Sequence, residues 1–444
     1  MKKLFFLSCL AALALASCGN KNSNSQEQAA LSPIMEKALN DEASKFYADF
    51  KSFPQQLSKL PIGVFDSGTG GLTVLEVLLK ADMVNNTSGK QEADGIPDFA
   101  GENFQFLGDM ANMPYGNYAA EKKEVFFKEL VVKDALFLLG DKYFMNPMDK
   151  EAEGSKEKAK ILVIACNTAT AWGLNDIRTM LEQSGTGVKV IGVINAGVNA
   201  LYANLAKQGD KVTTVGVLAT KGTISSNAYE RTIRELQPEK KYEGTINVVN
   251  HACAGFAESV DQEKDFVNVA LTAPRADYRG PKMGTGDDDI KVELLPAYNF
   301  SYEGNAILCT KEGGNYTEFQ LNSAANYARF HLVTLLEKHR KSGNTAPMKN
   351  IILGCTHYPL IRKTIGRTMG EEVTLVNPAY ETARELKEQL AMRNLLNEEK
   401  IDLGTNKYQF YVSDAADKFQ QFANSIIKYG ILTAKTVNIE EYAD

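Results

Sequence analysis

From residue 60 onward, short runs of Val, Ile, Leu and Phe alternate with longer amphipathic stretches. IGVF (62–65), NFQFLGD (103–109), AKILVIAC (159–166), VKVIGVI (188–194), TTVGVLAT (213–220), INVVNHAC (246–253) and NIILGC (350–355) predict strands. LTVLEVLLK (72–80), the stretch 122–139 and NTATAWGLNDIRTMLEQ (167–183) carry apolar residues three and four apart and predict helices. Apolar runs that are continuous rather than alternating suit strands buried on both faces, so the class predicted is α/β with parallel sheets. Ligands of such sheets sit where strands end and helices begin. Three stretches break the rhythm: 83–101 is rich in Asn, Gly and Asp, and 141–158 is charged and polar. The third, 262–322, contains GPKMGTGDDD and the aromatic residues Tyr298, Phe300 and Tyr302. All three read as surface insertions.

The 444 residues suffice for two or three domains, and a formal charge of −6 with no basic stripe argues against a nucleic-acid partner. The acidic run Asp287–Asp289 lacks the spacing of a calcium loop and reads as a solvated loop. The N-terminus changes the picture more. MKKLFFLSCLAALALAS has the two lysines and short apolar run of a signal peptide over residues 1–17, and is too short to span a membrane permanently. Its end, L-A-S-C, resembles the lipobox of bacterial lipoproteins, which implies lipid on Cys18 and an exported, membrane-anchored protein at the periplasm or cell surface. A plain cleaved signal with an incidental Cys18 is the alternative. Residues 19–30 are a polar tether, and 31–59 hold one or two short helices, so 18–59 is anchor, tether and lead-in. Four cysteines then remain, Cys166, Cys253, Cys309 and Cys355, and an even set in an exported protein invites two disulfides.

Two of those cysteines repeat one pattern: A-C-N-T (165–168) and G-C-T-H (354–357) each place a thiol at a strand exit before polar side chains. A helix start beyond each would favour the thiolate and offer N–H groups to a carboxylate. DSGTGG (66–71) is no P-loop, lacking a Gly-Lys-Ser/Thr ending, but it sets Asp66 and Ser67 at a third strand exit and lets backbone amides approach an anion. The four histidines, His251, His331, His339 and His357, complete no zinc-type spacing, so no metal is expected. Cys355 and His357 remain open to three readings: a metal pair, a structural thiol beside a bystander imidazole, or half of a catalytic site. Two thiols, a carboxylate and a histidine are the parts of a two-base proton-transfer site at a carbon acid.

IGVFDSGTGGLTVL, LGDMANMPYG, LVIACNTATA, ATKGTISSNAY and ILGCTHYPLI, in that order, resemble the signature segments of glutamate racemase, in the aspartate/glutamate racemase superfamily. The likeness runs from about Pro61 to the C-terminus, including FYVSDAADKFQQFANSII. It implies a cofactor-independent, metal-free racemase of small amino acids, built as two pseudo-symmetric α/β lobes with the active site in the cleft between them. The lobes would be 60–188 plus 378–444, and 189–377, with a homodimer as the candidate assembly. Cys166 and Cys355 would face each other across the substrate carbon, assisted by Asp66 and His357 respectively. Asp66, Ser67, Tyr115, Gly116, Asn167, Thr168, Thr356 and His357 match substrate-binding positions, and Thr220 and Thr223 lie in a matching segment.

The departures bear on substrate. VINAGV (193–198) has Asn195 and Ala196 where the family reads Glu-Pro, Met110 and Asn112 stand where Thr and Arg are usual, and no proline follows Cys253. The missing acid lies near the site in relatives, so side-chain recognition or the orientation of the histidine is expected to differ. Aspartate or another amino acid is thus an alternative to glutamate. The glutamate racemase of cell-wall synthesis is cytoplasmic, whereas this chain carries export signals. Two other classes stay open: a non-catalytic amino-acid-binding lipoprotein, and a disulfide-bonded surface protein.

Overall fold

The computed structural model describes residues 31–146, 149–152, 154–397, 408–427 and 433–437. The expected signal peptide, Cys18 and the expected tether lie outside the described residues.

Two parallel sheets form two lobes. The first has six strands in the order Ala434–Thr436, Tyr408–Val412, Phe104–Gly108, Ile62–Asp66, Ile161–Ile164, Lys189–Gly192. Its central strands are buried along their whole length, as continuous apolar runs require. The helices Leu72–Lys80, Pro378–Met392 and Ala416–Ile426 pack one face. Glu124–Leu139 and Asn167–Ser184 pack the other. Register sets the site: Asp66 pairs with Gly108 and Phe65 with Ile164, so Asp66, Asp109 and Cys166 leave the sheet at the same edge.

The second sheet runs Thr374–Val376, Met348–Gly354, Val212–Ala219, Thr245–Ala252. Gly354, Ala219 and Ala252 are level in register, which aligns the exits leading to Cys355, Thr220 and Cys253. Ala324–Lys341 covers one face, and Val193–Gln208 with Ala228–Leu236 the other.

Four expectations need correction. The segment 188–194 is not all strand: the strand ends at Gly192 and Val193 opens a helix. That strand also pairs with Ile161–Ile164, so the first sheet extends past residue 188. The stretch 262–322 is not a surface insertion, because Phe266, Tyr278, Tyr298, Phe300 and Phe319 are buried in the second lobe's core. The lead-in does hold a short helix as expected, Pro33–Asn40, whose Ile34, Met35 and Ala38 pack into the first lobe's core. Among the described residues Cys166, Cys253, Cys309 and Cys355 are free thiols, which removes the two-disulfide reading.

Candidate active site

Strand ends of both sheets line a single cavity of about 200 Å³. Cys166 and Cys355 both line it, each only 6% exposed. Around them stand Ser67, Tyr115, Gly116, Asn167, Thr168, Thr220, Thr356 and His357. Asp66 and Thr223 are buried just behind that wall. The sequence-predicted residues among those described are thus brought together. Asn195 and Ala196 are not part of the lining.

Cys166 caps the helix Asn167–Ser184, its Sγ accepting the Ala169 N–H at 3.4 Å and donating to Ser67 Oγ at 3.9 Å. Burial pushes this thiol well up, and the neighbouring Asp66 charge pushes the same way, against the pull of the Ala169 amide. Asp66 is fully buried, and that burial pushes its carboxyl up to about 6, while His357 and the Gly71 and Gly68 amides hold it down. Those amides donate to Asp66 Oδ2 at 2.7 and 3.3 Å, and Asp66 Oδ1 has no protein partner. The glycine turn thus does bind a carboxylate, but it is the chain's own. Glycine is needed there because a Cβ on Gly71 would strike the Asp66 side chain, and one on Gly70 would strike Thr356 and the His357 ring.

Cys355 differs. No α-helix starts beside it: a turn is followed by the 3₁₀ segment Tyr358–Ile361, and α-helix begins only at Arg362. Pro359 provides no N–H. Local charge comes instead from His357, whose Nδ1 is 3.6 Å from Cys355 Sγ. His357 Nε2 is 2.9 Å from Asp261 Oδ2, and Asp261 Oδ1 accepts from Thr69 of the other lobe's glycine turn at 2.8 Å. Burial opposes a charge on His357, yet Asp261 and Cys355 hold its pKa well above the ordinary imidazole value. For Asp261 burial opposes the charge too, but the His357 and Thr69 bonds hold it below the usual range.

Asp261 is the functional residue that the sequence reading missed. Gly255, at φ 75°, turns the exit of Thr245–Ala252 into the short helix Phe256–Val260, and Asp261 follows. The histidine is therefore oriented from this helix and not from the segment at Asn195. The same stretch brings Glu258, Glu263, Phe266 and Arg279 to the cavity. Burial and the neighbouring acids Glu258, Asp261 and Asp265 push Glu263 up to about 7.

Cross-lobe contacts complete the cleft. Thr73 Oγ1 donates to the Thr356 carbonyl at 2.9 Å, and Trp172 Nε1 to the Gly222 carbonyl at 3.0 Å. The hydroxyls of Thr168, Thr220 and Thr223 lie 2.9–3.1 Å from one another. Tyr229 donates to Asn167 Oδ1 at 2.6 Å.

The fold also gathers His251, Cys253 and His331, whose ligand atoms lie within 4.8 Å of one another, a grouping invisible in chain spacing. Their ring nitrogens have protein partners. Lys338 can only donate to His251 Nδ1 (3.0 Å), so His251 Nε2 donates to His331 Nδ1 (2.9 Å) and His331 Nε2 to the Ala254 carbonyl (3.1 Å).

Residues 145–270 match the family model for Asp/Glu/hydantoin racemase. The chain is 29% identical over 381 residues to the glutamate racemase of Oceanobacillus iheyensis, covering 85% of this chain and 96% of that protein. It is 29% identical over 366 residues to that of Geobacter metallireducens, covering 82% and 92%. In fold it resembles glutamate racemase isoform RacE1 from Bacillus anthracis (TM-score 0.53, 24% identity, 86% and 98% covered). It also resembles the Francisella tularensis glutamate racemase solved with D-glutamate (TM-score 0.53, 23% identity, 87% and 100% covered). These matches, at about 29% identity over most of the chain, are to enzymes of the isomerase class. Within that class, the sequence likeness supports the glutamate racemase family of the Asp/Glu racemase superfamily.

Proposed function

We propose that the chain interconverts L- and D-glutamate by two-thiol proton transfer, as an exported lipoprotein. The observation that carries the chemistry is one cavity lined by two buried cysteines from two sheets, each with its own proton-handling neighbour. A thiolate on Cys355, stabilised by the His357 imidazolium, takes the α-proton of the L-enantiomer and becomes a thiol. The Cys166 thiol gives its proton to the opposite face and becomes a thiolate, so charge is conserved and the stereocentre inverts. In the reverse direction the Asp66 carboxylate accepts the Cys166 proton and loses the charge that opposes a thiolate there, and the Cys166 thiolate abstracts from the D-enantiomer. Each thiol ends a turnover in the state the reverse reaction needs, and the proton delivered to Cα is one the donating thiol has exchanged with solvent beforehand.

Glutamate is the substrate named for the relatives, and the cleft's polar lining supports an amino acid with a second carboxylate. The test is incubation with single enantiomers of glutamate, aspartate, alanine and serine in deuterated water, following optical rotation and loss of the α-proton signal. Glutamate should lose rotation fastest, with deuterium entering at Cα. Faster turnover of alanine or serine would reject the acidic substrate, and no exchange with any of the four would reject the racemase.

The location rests on the L-A-S-C ending of the apolar N-terminal run. Cys18→Ser should release the chain from membranes or block its processing, and unchanged fractionation would reject the anchor. An exported racemase would act on amino acids outside the cytoplasm instead of feeding cell-wall synthesis directly.

A further inference from the structure

Behind the cavity wall, Tyr115 Oη stands 2.6 Å from Asp109 Oδ2 and 2.7 Å from Asp134 Oδ2. All three side chains are buried, with 2% exposure for Tyr115 and none for either aspartate. A phenol has one proton and can donate to one carboxylate only. The other carboxylate oxygen would then face the phenol's lone pairs at hydrogen-bond distance, which is repulsive unless that oxygen carries a proton. Three oxygens in a row therefore need two protons.

We propose that Asp134 is held as a neutral carboxylic acid that donates to Tyr115 Oη, while Tyr115 donates to an ionised Asp109, and that this proton-sharing chain positions the turn Tyr115–Asn117 in the wall of the substrate cleft. Asp134 is a positioning residue, and its effect on turnover rests on the racemase reading.

The surroundings decide which aspartate keeps the proton. Asp109 also accepts from Asn112 Nδ2, at 3.0 Å to both oxygens, and from Ser413 Oγ at 2.8 Å. Asp134 has no such support, and its Oδ1 has no protein partner. Negative charge belongs where donors converge. The charged groups facing Asp134 are Asp109 and Asp66 at the strand ends and Lys133 on its own helix, Glu124–Leu139. Burial and the two acids push its carboxyl well up, and the Tyr115 bond and Lys133 counter only part of this.

The consequence reaches the cleft. The Tyr115 ring packs edge-on against Phe127 at 4.9 Å, so ring and hydroxyl are both fixed. The adjoining Gly116 lies against Thr220 and Gly222 of the second lobe, where even an added Cβ would be crowded. A shift of Tyr115 would move both walls.

The test uses the whole chain with Asp134→Asn and Asp134→Ala. The amide supplies the N–H that replaces the acid's O–H, so D134N should keep KM within about twofold. D134A leaves Tyr115 without its donor and should raise KM about tenfold, with a smaller effect on kcat. Thermal melts across pH give a readout that a purely structural role would not move. The folded wild type keeps a proton that the unfolded chain loses above about pH 4, so its stability should fall as pH rises towards the raised folded value. D134N lacks that dependence, and its melting temperature relative to wild type should climb from about pH 5 to about pH 8. In the infrared at about pH 8, the wild-type minus D134N spectrum should show a carboxylic-acid C=O band. A flat melting difference and no acid band would overturn the proton sharing, whatever the turnover. An acid band with equal KM for D134N and D134A would overturn the positioning role. A wild type without racemase activity that still shows the band and the slope would reject the racemase reading and leave the proton sharing standing. If D134A does not fold, the D134N melts and spectra still decide.

Discussion

Cys166 and Cys355 leave parallel strands in the same way, but the ground around them is not the same. Cys166 caps an 18-residue helix and has a buried carboxylate beside it. Cys355 enters a turn and has an imidazole 3.6 Å away, itself held by an acid. Burial and Asp66 hold the proton on Cys166, whereas the neighbour of Cys355 is an imidazole paired with an acid. A racemase needs this asymmetry at rest and must reverse it after each turnover. The two strand exits are alike, but the backbone and the charges beyond them are not.

Removing either thiol should break the comparison completely. Cys166→Ser and Cys355→Ser should each lower racemisation at least about a thousandfold, because serine is far less acidic. Enantiomers are equal in free energy, so kcat/KM must fall equally in both directions, and racemisation alone cannot tell the two halves apart. A substrate with a leaving group at Cβ needs only the abstraction step. Cys166→Ser should still eliminate from the L-enantiomer and Cys355→Ser from the D-enantiomer. Full activity in both variants would refute the mechanism.

Asp261→Asn should come next, lowering elimination from the L-enantiomer about a hundredfold while sparing the D-enantiomer. It should also cost about 3 kcal/mol of stability near neutral pH, because the His357 charge would stay buried without its partner. The depressed Asp261 contributes fully above its unfolded pKa of about 4 and loses this as pH falls through its folded value. The raised His357 contributes fully below about 6.5 and loses this as pH rises through its folded value. Melts should therefore show the largest gap between wild type and variant from about pH 4 to about pH 6.5. A constant gap at all pH values would exclude the ion pair.

Asp66→Asn should have a smaller effect, about tenfold on elimination from the D-enantiomer. Wild-type elimination from that enantiomer should fall as pH drops through about 6, where Asp66 takes up its proton, and the variant should lack this step. Thr69→Val, which removes one hydrogen bond to Asp261, should cost about 1 kcal/mol, or roughly fivefold on the L side. Equal losses for both enantiomers in this last variant would show a general loosening of the cleft.

The sequence made much of this legible, and the misses share a cause. Strand positions were readable because a strand buried on both faces leaves an uninterrupted apolar run, as in ILVI at Ile161–Ile164. Cys166, Cys355, Asp66 and His357 were readable because each lies within a few residues of such a run. Asp261 was not: it lies nine residues beyond the strand end at Ala252, past a glycine turn and a five-residue helix with no motif around it. Tyr298, Phe300 and Tyr302 are two residues apart yet belong to no strand, so the burial of the aromatic residues of 262–322 depends on long-range packing that a local pattern does not encode. The expected helix after Cys355 failed because a turn and Pro359 intervene, although the sequence there looks like its counterpart at Cys166.

The bond from Thr69 to Asp261 joins residues 192 positions apart. In mutational terms the two should behave as one locus. Once Asp261 is changed, the further loss of the Thr69 hydroxyl should do little to the L side, and the two defects should fall short of their sum. The halves of the cleft can then drift only together: a substitution in the glycine turn of the first lobe registers at the opposite thiol, and a tolerated change on either side depends on what the other already holds.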